Sequence, residues 1–500
     1  MSMPAEHMIQ APTLADLLRG YVDAPRIPVH GIASDSRLLH EGFLFLAVQG
    51  MNSHGLDFLE QARQAGVCAV AWDTSTGSEP ADIGIPVFAV DGLAERLGEI
   101  ANRFYGRPSE HLDVIGVTGT NGKTTVAWMI AQAGELLDER CAYLGTLGHG
   151  VGEVEGAEGM TTPAAIELHG RLSEFVDQGA KHAAIEVSSH ALAQRRVDGV
   201  RFDSALFTNL SRDHLDYHAN MRDYFESKAR LFLDCAPRNR IINLDSEYGD
   251  QLAAKCGQDV VTVSTDFNRV ANGRPHVFVR SIVTTEHGSD IRFVSSWGDG
   301  RFTLRLPGDF NVANAVLVLA LLLKKGVSMT VACDVMSQMS APPGRMQRVA
   351  MDGPAIFVDY AHTPTALEVA LRALRAHCRG RLWVVFGCGG DRDVGKRPQM
   401  GKAAEHLADR VVITDDNPRC EDADAIISDI VAGLAHPERA TIIEDRAAAI
   451  AWTIEQAVDA DVILIAGKGH EDYQESRGKR VPFSDYAIAE KALTVRGGAR

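Results

Sequence analysis

The sequence predicts an α/β protein of three domains, and three observations carry that reading. The chain has 500 residues, more than one hydrophobic core serves. Short apolar runs alternate with helical stretches, the pattern of mostly parallel sheets. One of those runs, Val114-Ile115, enters Gly116-Val117-Thr118-Gly119-Thr120-Asn121-Gly122-Lys123-Thr124-Thr125, which reads as a strand, a glycine-rich turn and a helix start. In such a turn backbone N–H groups approach phosphate oxygens, and the helix N-terminus adds partial positive charge. Lys123 is placed to reach the outer phosphates and the Thr124 hydroxyl to ligand Mg²⁺. The general P-loop pattern wants a glycine five residues before Gly122, where this chain has Val117, so the loop is a tighter variant. The alternative is an ordinary glycine-rich turn between strand and helix.

The first domain is expected over residues 1–108 as a small α/β unit. Leu14 to Tyr21 reads as helical, Gly42 to Val48 as a buried strand, Leu59 to Ala65 as a helix, and Cys68 to Trp72 and Val87 to Val90 as strands. The second, over 109–345, is a P-loop ATPase-like domain around a mostly parallel sheet. Its strands are expected at Val114 to Thr118, Ala183 to Val187, Ser204 to Thr208, Arg240 to Asn243 and Val260 to Ser264, with helices at Thr124 to Leu137 and Ala164 to Gln178. His276 to Ile282, Asp290 to Val294 and Arg301 to Leu306 then alternate as an antiparallel annex, before an apolar helix at Asn311 to Lys325. The third, over 346–500, is a Rossmann-like doubly wound domain with strands at Ala355 to Asp359, Leu382 to Phe386, Val411 to Asp415, Ala440 to Ile443 and Val462 to Ala466. Ligands of such sheets bind beyond the carboxyl ends of the strands.

Composition narrows the class. With 45% hydrophobic and 23% charged residues the chain reads as a soluble globular protein. A net charge of −16 argues against nucleic acid as the main partner, since that needs clustered cations. The eight cysteines are scattered without Cys-x-x-Cys or zinc spacing, so reduced thiols and a cytoplasmic location are expected. The N-terminus lacks a basic region followed by an apolar core, and the longest apolar run, Val312 to Leu323, is interrupted by Asn314 and too short to span a bilayer. Neither a signal peptide nor membrane insertion is expected.

Several polar groups stand at predicted strand ends. Glu186, in Glu186-Val187-Ser188-Ser189-His190, is placed for a metal, or else is a surface acid or cap. The loop Thr208-Asn209-Leu210-Ser211-Arg212-Asp213-His214-Leu215-Asp216-Tyr217-His218 concentrates metal-capable groups, or is simply a polar loop. Lys228, in the helical stretch Tyr224 to Leu233, alone would pass for a surface lysine. Arg345 in Pro343-Gly344-Arg345 offers a planar fork for phosphate, and Asp359 ends the first strand of the third domain. Three loops of that domain are unusually polar: Gly387 to Asp393, Asp415 to Arg419 and Gly467 to Glu471. Arg392 and Arg419 could grip a carboxylate, and Asp416 and Glu471 an ammonium. Together they suggest a pocket for a zwitterionic amino acid.

These motifs, in this order, resemble the Mur ligase family of ATP-dependent amide-forming enzymes over nearly the whole chain. The marks are Gly-Thr-Asn-Gly-Lys-Thr, Glu-Val-Ser-Ser-His, Thr-Asn-Leu-Ser-Arg-Asp-His-Leu-Asp-Tyr-His, Asn311-x-x-Asn314-Ala315, Pro-Gly-Arg, Asp-Tyr-Ala-His-Thr-Pro and Gly-Lys-Gly-His-Glu. Asp416-Asn417-Pro418-Arg419 is similar to the signature of the branch that adds meso-diaminopimelate to UDP-N-acetylmuramoyl-L-alanyl-D-glutamate in peptidoglycan precursor synthesis. The resemblance implies ATP as co-substrate, Mg²⁺ as cofactor, small-molecule partners only and a monomer.

It also implies roles. Ser34, Ser36, Met51, Asn52 and Ser53 would lie near the uridine diphosphate. Thr161, Thr162, Ser188, Gln194 and Arg196 would contact the muramyl dipeptide. Gly119, Thr120, Asn121, Gly122, Lys123, Thr124, Thr125, Asn314, Arg345 and Asp359 would hold ATP. Thr124, Glu186, His214 and Lys228, the last as a carbamate, would face Mg²⁺, with Lys123, Lys228 and His214 taking part in catalysis. Arg392, Asp416, Asn417, Pro418, Arg419, Gly467 and Glu471 would bind diaminopimelate. Two departures stand out: Met160 where relatives often have a polar residue, and Ala191 where glycine is frequent.

The implied chemistry is amide synthesis through an acyl phosphate, with His214 or His362 as candidate bases for the attacking amine. Two rivals remain. A folylpolyglutamate synthase-like ligase would lack the Asp-Asn-Pro-Arg loop, and a nucleotide-dependent switch or transport ATPase would have no need of a zwitterion pocket.

Overall fold

A computed structural model describes residues 11–50, 53–76, 79–80, 82–156, 159–269, 271–285, 288–350 and 353–498. The chain divides into two compact units, Met1–Lys123 with Asp138–Arg240, and Thr124–Leu137 with Ile241–Arg500.

The first unit holds two sheets. Strands Gly31–Ala33, Phe43–Ala47, Ala69–Asp73 and Val87–Val90 pair in parallel in that order. Alternate residues feed opposite cores: Leu44 and Leu46 pack on one face, Phe45 and Ala47 on the other. The expected helix from Leu14 stops at Leu17, capped by Thr13, because Leu18 leaves helical geometry and Gly20 turns left-handed. The amphipathic helix Leu93–Phe104, absent from the sequence reading, buries Leu93, Ile100 and Ala101.

In the second sheet of this unit the order is Phe202–Phe207, Asp113–Thr118, His182–Glu186, Cys141–Gly145 and Gly148–Val151. The first four run parallel and the last turns back antiparallel. Val117 pairs with Glu186, so the acid stands one strand away from the start of the glycine loop.

In the second unit the antiparallel annex forms as expected. Strands His276–Thr285, Gly288–Ser295 and Gly300–Leu304 pair in sequence. The apolar helix is Asp309–Lys324, buried along nearly its whole length. The doubly wound sheet has the order Gln347–Arg348, Ala355–Asp359, Val462–Ala466, Leu382–Phe386, Arg410–Ile413 and Thr441–Ile442, parallel except for the first strand. Its strands are covered on both faces, with Phe357, Val384 and Leu464 in one core and Ile356, Val385 and Ile463 in the other. Parallel strands bring their carboxyl ends to one edge, which gathers the loops that start at Tyr360, Gly387, Thr414 and Gly467. The hairpin Tyr473–Ser476 with Lys479–Pro482, not foreseen, follows the last of them.

Among the described residues no helix is long and apolar enough to cross a membrane. None of the eight cysteines, all among the described residues, is in a disulfide.

Candidate active site

The glycine loop is clasped by the loop that follows strand Phe202–Phe207. Thr120 N–H donates to the Asn209 carbonyl at 2.9 Å and Asn121 N–H to Asn209 Oδ1 at 3.0 Å. Thr208 Oγ1 donates to the Asn121 carbonyl at 2.6 Å. Gly119 has φ +153, and a Cβ there would lie 1.9 Å from Thr208 Oγ1, so only glycine fits. Lys123 Nζ donates to the Gly119 and Thr120 carbonyls at 3.0 and 2.9 Å. Gly122 is also left-handed, and Thr124 and Thr125 are buried in the first turn of helix Lys123–Leu136.

Lys228 lies beneath this loop and is not a surface residue. It is 1% exposed, on helix Met221–Leu233, which Asn220 caps. Its Nζ donates to the Gly119 carbonyl at 2.8 Å and stands 4.7 Å from the centre of the Tyr224 ring. Burial, and then the Lys123 charge, hold its pKa well below the usual lysine range. Both causes disfavour the charged form there. Burial pushes the Tyr224 hydroxyl up to about 12, so it stays a phenol, 3.1 Å from Thr120 Oγ1.

His214 has left-handed geometry, with φ 52, and its half-exposed ring sits 4.9 Å from that of His190 and 6.0 Å from that of Tyr224. His218, nearly fully buried, is 3.0 Å from Ser189 Oγ.

Glu186 joins the metal candidates to the dipeptide candidates. Its Oε1 accepts from Tyr143 Oη at 2.6 Å and from Thr146 N–H at 2.9 Å. Thr146 Oγ1 is 3.3 Å from Thr161 Oγ1. Thr162 Oγ1 donates to the Glu186 carbonyl at 2.8 Å and accepts from Ser188 N–H at 3.0 Å. Arg196 Nη1 donates to the Thr162 carbonyl at 2.9 Å, and its Nε donates to Gln194 Oε1 at the same distance. Thr161, Thr162, Ser188, Gln194 and Arg196 thus belong to one hydrogen-bonded chain. Met160, the departure noted above, is exposed.

Ser34 follows strand Gly31–Ala33, Ser36 opens a short turn capped by Asp35, and Ser53 accepts from Gly50 N–H through its carbonyl at 2.9 Å. Met51 and Asn52 lie outside the described residues.

In the second unit Asp359 ends its strand, accepting from Met346 N–H at 2.7 Å and from Ala361 N–H at 2.9 Å. Desolvation pushes its pKa up while the Arg345 charge opposes the shift. The Arg345 guanidinium lies 4.6 Å from the Tyr360 ring centre, and the His470 ring is 5.3 Å from the same ring. Burial and the Arg345 charge take His470 down to about 4, so that imidazole is neutral at pH 7. Asn314 is buried, with Nδ2 3.4 Å from Asn311 Oδ1.

The zwitterion candidates gather at the shared strand edge. Arg419, left-handed at φ 53, donates from Nη1 to the Gly390 carbonyl at 2.7 Å. Asn417 Nδ2 donates to Glu471 Oε2 at 2.8 Å. Gly467 has φ +117, and a Cβ there would lie 2.4 Å from Asp416 Oδ2. Pro418 is buried within the loop, and Arg392 is exposed on its own.

Sequence reasoning missed Tyr143, Tyr224, Tyr360 and Lys468 as working parts of these clusters. Tyr143 stands in the apolar run Cys-Ala-Tyr-Leu and reads as core, while Tyr224 opens a helical stretch and Tyr360 stands in a singled-out motif without a local signal for its role. Lys468 stood within a singled-out motif, but nothing local marked it as buried.

The chain matches the Mur ligase family, catalytic domain over residues 28–105, the Mur ligase middle domain over 117–322, and the Mur ligase, glutamate ligase domain over 344–469. It is 44% identical to a UDP-N-acetylmuramoyl-L-alanyl-D-glutamate–2,6-diaminopimelate ligase of Haemophilus influenzae (strain PittEE), over 93% of this chain and 96% of that one. To the protein of the same name from Xanthomonas campestris pv. campestris (strain 8004) it is 43% identical, over 98% and 99%. A solved structure bearing that name superposes with a TM-score of 0.74 at 34% identity, covering 97% of this chain and 99% of the other.

Proposed function

From the premise that the chain belongs to the Mur ligase family, we propose that it is an ATP-dependent ligase. It adds meso-2,6-diaminopimelate to UDP-N-acetylmuramoyl-L-alanyl-D-glutamate in peptidoglycan precursor synthesis. The observation that carries the amino-acid half is the Asp416–Arg419 loop, bonded to Glu471 on one side and to the Gly390 carbonyl on the other. The site of action we assign is the cytoplasm, with the chain acting as a monomer.

The glycine loop and Lys123 hold the phosphates of ATP, and Asn314, Arg345 and Asp359 are further residues we assign to ATP. Ser34, Ser36 and Ser53 take the uridine diphosphate. The chain from Thr161 to Arg196 takes the dipeptide and aims its free carboxylate at the γ-phosphorus. That carboxylate attacks, ADP leaves, and an acyl phosphate forms. The diaminopimelate amine then attacks the acyl carbon, phosphate departs, and the amine gives up a proton. Most of the acceleration comes from placing charge and reactants, with little covalent work by the protein.

Mg²⁺ fits the residues present. Among the described residues no three His, Cys, Asp or Glu side chains gather into a metal cage. Mg²⁺ that travels with a nucleotide needs only one or two carboxylates beside phosphate and water. Glu186, His214, Thr124 and a carbamate on Lys228 are the groups we assign to it. Bound there, it would offset the charge that builds on the transferred phosphoryl group. The carbamate arises when the neutral Lys228 amine adds to carbon dioxide and loses one proton.

The deciding experiment measures phosphate release from ATP and Mg²⁺ with the UDP-dipeptide, comparing meso-diaminopimelate with L-lysine. Release that needs both substrates and prefers diaminopimelate is expected. Preference for lysine would keep the ligase and overturn its amine specificity. Release indifferent to both would overturn the ligase reading.

A further inference from the structure

The Arg446 side chain has no exposed surface, and neither has that of its partner Asp485. Arg446 opens helix Arg446–Gln456, and Asp485 opens helix Asp485–Gly498. Nε and Nη2 of the guanidinium donate to Asp485 Oδ1 and Oδ2, each at 2.8 Å. Further N–H groups of the same guanidinium reach backbone. Nη1 donates to the Asp415 carbonyl at 3.1 Å and Nη2 to the Ala466 carbonyl at 3.0 Å. Burial works against the charge, but Asp485, and after it Asp416 and Glu471, raise the pKa above the usual arginine range, so the group stays a cation.

Those two carbonyls stand beyond strands that are not neighbours. In the sheet, Leu382–Phe386 lies between Val462–Ala466 and Arg410–Ile413, so each of the outer two pairs with the middle strand. Arg446 bridges their carboxyl ends directly. The next residues along the chain are Asp416 and Gly467, both assigned above to diaminopimelate. A Cβ on Gly467 would lie 2.4 Å from Asp416 Oδ2 and 4.0 Å from Arg446 Nη2, so the three meet in one place. A planar fork fixes the directions of its N–H groups, and with them the acceptors it binds. The ammonium of a lysine is a point charge and fixes none.

We propose that Arg446 is a positioning residue of the amino-acid pocket. Anchored on Asp485, its guanidinium sets the spacing between the Asp416 and Gly467 backbones, and so the place where the amine substrate is received. Being buried, it acts through these two loops and not by contact with substrate. This inference rests on the diaminopimelate-ligase reading above.

The test uses the full-length protein and two variants. Arg446→Lys keeps the charge but has too few donors for all of those bonds. The double variant R446M/D485N removes both charges with little change of volume, so no buried charge is left unpaired. Phosphate release is followed while meso-diaminopimelate, ATP and the UDP-dipeptide are varied in turn. KM for diaminopimelate is expected to rise by about tenfold or more in both variants, because a displaced loop misplaces the groups it carries. KM for ATP and for the UDP-dipeptide should stay within about twofold, since Arg446 holds no residue assigned to either. A rise for diaminopimelate of less than about threefold in a variant that still melts cooperatively would overturn the inference. So would a parallel rise in every KM, which marks a general loosening. Loss of the thermal transition in both variants would assign Arg446 to folding alone and overturn it too. If phosphate release by the unaltered protein does not depend on diaminopimelate, the functional reading has failed and this inference falls with it. If it does depend on diaminopimelate and the variants keep their KM, only the role of Arg446 fails.

Discussion

Lys228 Nζ and Lys123 Nζ share one acceptor, the Gly119 carbonyl, at 2.8 and 3.0 Å. Two amines on a single oxygen, one of them wholly buried, are not both comfortable as cations. Burial, and then the Lys123 charge, hold the Lys228 pKa well below the usual lysine range. On the proposed assignment of a carbamate to Lys228, Lys228→Met should lose turnover by about 10²-fold or more. The same variant should melt no lower than the unaltered protein in carbonate-free buffer, because it removes a buried amine. Turnover and thermal melting measured side by side check both halves. A melting point several degrees lower would mean that the bond to Gly119 outweighs the burial.

Tyr143 Oη donates to Glu186 Oε1 at 2.6 Å. Tyr143→Phe keeps the ring and deletes the donor. The carboxylate should then be less well aimed, and the Mg²⁺ concentration for half-maximal activity should rise by about 10- to 100-fold, in keeping with ~1.5–3 kcal/mol for one hydrogen bond to a charged group. A Mg²⁺ titration checks this. An unchanged midpoint would remove Glu186 from the metal assignment or Tyr143 from its support.

On the proposed grip of Arg419 on a substrate carboxylate, Arg419→Ala should raise KM for diaminopimelate by about 10- to 100-fold, the worth of one charged hydrogen bond. KM for ATP should hardly change. Equal losses for both substrates would point to a scaffold role through the Gly390 contact.

Burial, with Glu444 close by, pushes Asp415 up to about 6 from 3.8. Between those values the folded chain keeps a proton that the unfolded chain has released. Stability from that proton is present below the unfolded value and is lost as pH rises through about 6. Asp415→Asn carries no such charge. Its melting point should exceed that of the unaltered protein near pH ~7.5 and match it near pH ~4. A pH series of melting curves tests the sign, and a gap that widens toward acid would refute it.

Much of this protein was legible in its sequence because local rules suffice for it. The strands Ala355–Asp359, Leu382–Phe386 and Val462–Ala466 end where their apolar runs end, since buried parallel strands admit little else. The hairpin Tyr473–Ser476 with Lys479–Pro482 was not legible. Its residues are mostly polar and do not alternate, and its place depends on backbone bonds from Arg419 to Glu475 and from Arg477 to Arg419. Cys141–Gly145 and Gly148–Val151 were hidden for a similar reason, being short and rich in glycine.

The sequence by itself determined the class of chemistry. A glycine turn before Lys123 and Thr124 points to phosphate by residue type and spacing, and the Asp416–Arg419 loop points to an amino acid through its resemblance to the Mur ligase family. Only the tertiary structure decided what each charge is worth. Lys228 and Lys468 look alike in sequence to any exposed lysine. One is buried beneath the glycine loop with its pKa pushed down, and the other is buried and held by Asn417 and Glu471. The difference lies in desolvation and in partners far along the chain, such as Gly119 for Lys228 at a separation of 109 residues. Those quantities exist only once the chain has folded.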